Sequence, residues 1–165
     1  MGLDNIPKTY PCVLEKTAIY NDSNQIDCEA TQNADKCPYK REFESDPLVK
    51  DTTPIYGMFG TDCWYRGKYG NYLLSILDAG ANEYMESGYG IDFYGNGFGD
   101  GEEGINVDDC LKMHRFFIDH VEEFTYQATQ QYGKDEVEPL VKDWIYAAWW
   151  LKFIGNYGEG SGIWY

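Results

Sequence analysis

The sequence predicts an α+β domain: an antiparallel sheet with two main helices packed on one face, preceded by an irregular cysteine-rich segment. Three observations predict it. Apolar residues recur at helical spacing in two runs between Asn106 and Ile154. Short strand-like pieces, rich in glycine and aromatics, precede those runs, and the chain ends on the apolar triplet Ile163-Trp164-Tyr165. Four of the five cysteines (Cys12, Cys28, Cys37 and Cys63) fall in the first 63 residues, each beside a turn-forming or polar residue. At 165 residues the chain suits a single domain, 1–165, made of a cysteine-rich segment (1–55) and an α+β core (56–165).

Residues 1–55 read as short strands and turns. Thr17–Tyr20 and Gln25–Asp27 flank Asn21-Asp-Ser-Asn24, a hairpin signal with turn residues at its centre. Glu42 to Asp51 is charged and carries Pro47, which reads as a loop or linker. From Ile55 the composition shifts to glycine and aromatics; Tyr72–Leu77, stopped by Gly80, predicts a short buried helix. Tyr89 to Phe98, where glycines alternate with Ile91, Phe93 and Phe98, predicts a strand ending in a turn.

Two longer helices follow. Asn106 can cap the first through its side-chain oxygen, and Asp108 and Asp109 suit the positive end of the helix dipole. The stripe Cys110, His114, Phe117, Val121, Phe124 and Ala128 predicts one buried face out to about Gln131, with Gly133 as the stop. The second helix, about Glu136 to Ile154, is expected to bury Val137, Leu140, Val141, Trp144, Ala148 and Leu151 and to end at Gly155. Three apolar residues at the chain's end predict a last strand docked in the sheet.

The formal charge is −15, from 13 Lys and Arg against 28 Asp and Glu. Such a surface repels phosphate backbones and anionic lipid, which argues against general nucleic-acid or membrane binding. Aromatics at 17% argue equally against a disordered chain. The first residues, MGLDNIPKTYPC, show no basic stretch followed by an apolar run, and Ile6 stands where a myristoylation signal needs Ser or Thr. No stretch approaches the length of a membrane span, so a reducing cytoplasm is the expected compartment.

Three segments carry a resemblance. They are Cys63-Trp-Tyr-Arg66 running to Leu77, Asn96-Gly97 running to Asp109, and Trp150–Phe153 running to Tyr165. Together, over about residues 58–165, they resemble small uncharacterised bacterial and phage proteins. The resemblance implies a compact α+β domain and, for a viral chain, residence in the host cytoplasm; it implies no catalytic residue.

Several groups of residues suit chemistry. Cys12, Cys28, Cys37 and Cys63 supply four thiolates, the ligand set of a closed structural zinc site. Their spacing lacks the paired knuckles of zinc ribbons, so buried thiols and disulfides stand beside the metal as alternatives. Asp92, Asn96, Gly97, Asp100 and Glu103 fall at positions one, five, six, nine and twelve of a calcium loop, with Tyr94 departing from that pattern at position three. The alternative there is a glycine-rich turn entering a capped helix. Cys110 and His114, four apart, can chelate but also lie on the apolar stripe.

Trp64, Tyr65, Arg66, Lys68 and Tyr69 form a basic and aromatic segment in an acidic chain, suited to stacking on a planar ligand and pairing with its phosphate. These features favour a non-enzymatic binding protein that sequesters a small anionic ligand, such as a nucleotide, or a host partner protein. Two alternatives stand beside it. One is a metal-dependent hydrolase using the acidic segment 92–109; the other is a virion or assembly component, for which a homo-oligomer would be natural.

Overall fold

The computed structural model describes residues 4–49, 63–65 and 104–164. Among them the order is β1 (Asp4–Pro7), α1 (Pro11–Leu14), α2 (Cys28–Asn33), α3 (Pro38–Ser45), α4 (Val107–Asp119), α5 (Val121–Tyr132), α6 (Lys134–Tyr157) and β2 (Ser161–Trp164). Helices dominate, and the sheet is a pair of antiparallel strands, so the architecture is α+β in that coarse sense. The helix expected over 72–77 and the strand over 89–98 lie outside the described residues.

The two ends of the chain meet in the sheet. Asp4 pairs with Trp164, Asn5 with Ile163, Ile6 with Gly162 and Pro7 with Ser161. The last strand therefore forms as its apolar ending predicts, but its partner is Asp-Asn-Ile-Pro, a segment of poor intrinsic strand propensity. The pairing is secured from outside. Ile105 N–H donates to the Ser161 hydroxyl (3.1 Å) and Ser161 N–H donates to the Ile105 carbonyl (2.8 Å). Gly104, at φ +74°, makes that crossing close, because a Cβ there would stand 1.9 Å from the Ser161 carbonyl oxygen.

α6 is the central post. Along one face Trp144 stacks on Phe124 of α5 (centroids 4.2 Å, 12° between planes) and packs on Phe117 of α4 (4.2 Å). Its indole N–H donates to the Phe117 carbonyl at 2.6 Å. A second face carries Tyr146, Trp149 and Phe153; α3 sets Tyr39 edge-on to Trp149 and Phe153, and Phe43 edge-on to Trp149 and tilted on Tyr146. Further along α6, Trp150 meets Tyr65 at 5.1 Å and donates to the Cys63 carbonyl at 3.0 Å. The helices thus pack chiefly on one another.

Capping follows the sequence where its signals are local. The Asn106 side chain accepts from Asp109 N–H at 2.9 Å, and Gly133, at φ +87°, separates α5 from α6. Three expectations need correction. The single helix expected from Asn106 to Gln131 divides at His120, whose Nδ1–H donates back to the Phe116 carbonyl (2.9 Å) while its ring stacks on Phe116. Gly155 does not end α6; it is buried in the helix, where a Cβ would lie 2.9 Å from Leu111, and the stop is Gly158. Residues 4–49 hold helices as well as the expected strands and turns.

In that last stretch three short helices form, and α3 covers Glu42–Ser45, where a loop was expected. The hairpin survives as one bridge, Tyr20 with Ile26, closed by Asn21 N–H donating to the Gln25 carbonyl at 2.8 Å.

Candidate functional site

Cys12, Cys28, Cys37 and Cys63 line one small pocket, walled also by Tyr10, Thr31, Pro38 and Tyr39. Each arrives on a different piece of chain. Pro11 occupies the first position of α1, since its fixed φ suits a helix start and its missing N–H costs nothing there, and Cys12 follows it. Cys28 opens α2 behind Asp27, whose carboxylate accepts from Ala30 N–H at 2.9 Å. Cys37 is the extended residue before Pro38, which opens α3. Cys63 comes from a distant segment in the left-handed region, at φ +61°.

That conformation costs a non-glycine residue roughly 1–2 kcal/mol, so it persists only where neighbours fix it. Two do. Trp150 holds the Cys63 carbonyl, and two residues on Tyr65 forms a bridge with Asn5, each N–H donating to the other's carbonyl at 2.8 Å. The pocket is therefore where the cysteine-bearing segments, the β1 edge and α6 are joined.

The space is about 10 Å³, room for one small atom, and the surface it exposes is apolar. Thr31 is buried, but its hydroxyl is occupied, donating to the Asp27 carbonyl (2.7 Å) and accepting from Ile19 N–H (3.0 Å). Burial pushes the Cys12 thiol above its ordinary pKa, and the neighbouring Cys37 adds to the rise. All five cysteines are thiols in the structure, and among the described residues no three His, Cys, Asp or Glu side chains already stand as a metal-binding group.

Beside the pocket lies Trp64, half-buried, with its indole N–H donating to the Tyr10 hydroxyl at 2.9 Å. Tyr65 is wholly buried, so its ring belongs to the core and has no face to offer a ligand. Arg66, Lys68 and Tyr69 lie outside the described residues, as do the calcium candidates Asp92, Asn96, Asp100 and Glu103. At the end of the acidic segment, Asp108 pairs with Lys112 at 2.6 Å, and the Asp109 carboxylate accepts from the Asn106 side-chain amide at 2.8 Å. Both carboxylates serve the start of α4.

Cys110 and His114 occupy one helix face without forming a reactive pair. Burial, reinforced by Asp109, pushes the Cys110 thiol up to about 12, which leaves essentially no thiolate at neutral pH. Cys110 is wholly buried and donates weakly to the Ile105 carbonyl at 3.7 Å. His114 donates through Nδ1 to the Ala148 carbonyl at 2.7 Å, and burial holds its pKa below the ordinary histidine value. Its outer side meets an open groove with Arg115, Asp119 and Lys152.

What sequence reasoning missed is the aromatic dock next to this site. Tyr39, beside Cys37 and Pro38, shares a hydrogen bond with Tyr146 (O···O 2.5 Å) and packs edge-on against Trp149 and Phe153. The available signal was the spacing of Tyr39 and Phe43 after a helix-opening proline, in a stretch otherwise charged. Compared with family models, curated proteins and solved structures, the chain matches none. Among the described residues no helix is long and apolar enough to cross a membrane.

Proposed function

We propose that the chain is a non-enzymatic binding protein that captures a small anionic ligand, a nucleotide being the natural first probe, through the segment that begins at Trp64. One observation carries this reading: Trp64 alone of residues 63–65 is partly exposed, between two neighbours that are fixed and buried. Cys63 and Tyr65 are locked to α6 and β1, so the indole is presented from a rigid mount, which lowers the ordering cost of binding. Arg66 and Lys68 follow directly in sequence, two cations in a chain of charge −15. An aromatic ring with neighbouring cations suits a planar anion, and the acidic surround disfavours nonspecific ones.

Chemistry of the other candidate groups points the same way. The Cys110 thiol is far from ionising, and Asp108 and Asp109 are engaged in a salt bridge and a cap. Thermal melting with a panel of nucleotides and inorganic phosphate tests the proposal. A ligand present at a hundredfold its Kd should stabilise the fold by about 2.7 kcal/mol, with Trp64 fluorescence responding, and Arg66→Ala with Lys68→Ala should remove the effect. No stabilisation by any member of the panel, and no partner in a pull-down, would overturn it.

A further inference from the structure

We propose that Cys12, Cys28, Cys37 and Cys63 bind one zinc ion as a closed tetrathiolate, a structural site independent of any ligand at Trp64. The convergence is the ground for it. Positions 12, 28, 37 and 63 are far apart in sequence, yet all four cysteines line the same small pocket. Cysteine is a small apolar side chain that packs anywhere, so four that are packed only as hydrophobes have no reason to share one wall. Cys110, the fifth, is such a residue and lies elsewhere, in the core beneath α4.

The surroundings suit the metal. With about 10 Å³ of space and an apolar exposed surface, the pocket has room for one ion. Zinc accepts four sulfurs at about 2.3 Å in a tetrahedron, and that geometry leaves no position for substrate. Among the described residues no three His, Cys, Asp or Glu side chains already form a metal-binding group, so binding draws the four sulfurs inward onto the ion. Binding releases the four thiol protons as four Zn–S bonds form, leaving a centre of net charge −2. Lys40 and Arg41 share an open groove with Cys37, where Asp35 and Glu44 balance them and Lys40 pairs with Asp35 at 3.2 Å.

Placement also explains the unusual spacing. Zinc ribbons supply ligands in pairs from tight knuckles, whereas here each cysteine has its own anchor: Pro11, the Asp27 cap, Pro38, and Trp150 holding Cys63. The effect of the metal should fall on residues 8–36, which bury few large side chains of their own.

The test uses the full chain produced in zinc-supplemented medium and purified without chelator. Native mass spectrometry should show one zinc per chain, and a thiol reagent should find four cysteines protected until chelator is added. Cadmium exchanged into the unmutated protein should give the ultraviolet charge-transfer band of a tetrathiolate. Cys110→Ser should keep all three signatures, and Cys28→Ser should lose the metal or weaken its retention at least tenfold. Because Cys28→Ser could unfold the segment, the cadmium spectrum of the wild type carries the decision alone if necessary. Absence of metal, disulfide-linked cysteines, or cadmium held by fewer than three thiolates would overturn the proposal.

Discussion

The N-terminal segment and the helical core use different means to stay folded. In the core, Phe116, Phe117, Met113, Trp144, Tyr146 and Trp150 are almost wholly buried, and α4 and α5 both pack along α6. From residue 8 to residue 36 the fully buried side chains are only Pro11, Cys12 and Thr31. The core is held by apolar area, which at roughly 25 cal/mol per Å² needs no special geometry. The segment is held by particular joints: the β1–β2 pairing, the tyrosine dock of α3, a forked Arg41–Glu15 ion pair at 2.9 Å, and the four-cysteine pocket. A region of the second kind can open without the first being lost.

Substitutions should separate the two regions. Trp144→Ala removes a ring stacked on Phe124 and the hydrogen bond to Phe117, and should cost about 3–5 kcal/mol, read as a lower denaturant midpoint for the whole chain. Tyr39→Ala should cost about 3 kcal/mol, yet its effect should concentrate on α1–α3, seen as faster amide exchange there than in α4–α6. If Tyr39→Ala melts both regions together, the segment and the core are a single cooperative unit and the contrast between them fails.

Smaller effects sharpen the core side. Asn106→Ala removes the cap on α4 and should cost about 1 kcal/mol by chemical denaturation, and Asn106→Asp should also destabilise, because it keeps the cap acceptor but sets a carboxylate against Asp109 in place of the amide donor. The pH dependence carries a sign. Burial depresses the His114 pKa below its unfolded value of about 6.5, so the unfolded chain binds more protons in the interval between the two. The resulting stability is complete above pH about 6.5 and is lost as pH falls through the folded pKa. Between pH 7.5 and 5, His114→Gln should therefore lose less stability than the wild type; an equal loss in both would show that His114 contributes nothing to the slope.

How much of this was legible in the sequence follows the same divide. The Asn106 cap, the glycine at 133 and the apolar ending are local signals, and each has its counterpart in the structure; the periodic stripe from Cys110 to Ala128 is helical as well but hid the break at His120. The segment's helices were not legible, because α1 and α2 are too short to show a period and begin at single Pro or Asp residues. β1 was hidden for a related reason: Asp-Asn-Ile-Pro becomes a strand only because β2 and Tyr65 flank it. Gly155 misled because a buried glycine inside a helix and a terminating glycine look identical in sequence; only the approach of Leu111 distinguishes them.

For the site, the four cysteines could be grouped by residue type, but their meeting point depends on tertiary contacts between α6 and residues 63–65. Tyr65 shows the limit in the other direction. Its aromatic and basic neighbours suggest a ligand face, while the ring itself packs against Trp150 with none of its surface exposed.

The central claim is that residues 8–36 depend on the cysteine clasp and the helical core does not. Amide hydrogen exchange on the zinc-loaded protein, before and after stripping with chelator, measures that directly. Exchange in α1 and α2 should accelerate at least about tenfold on stripping, while the buried amides of α4 and α6 keep their protection. Unchanged exchange in α1 and α2, or equal loss of protection in α4 and α6, would contradict the account.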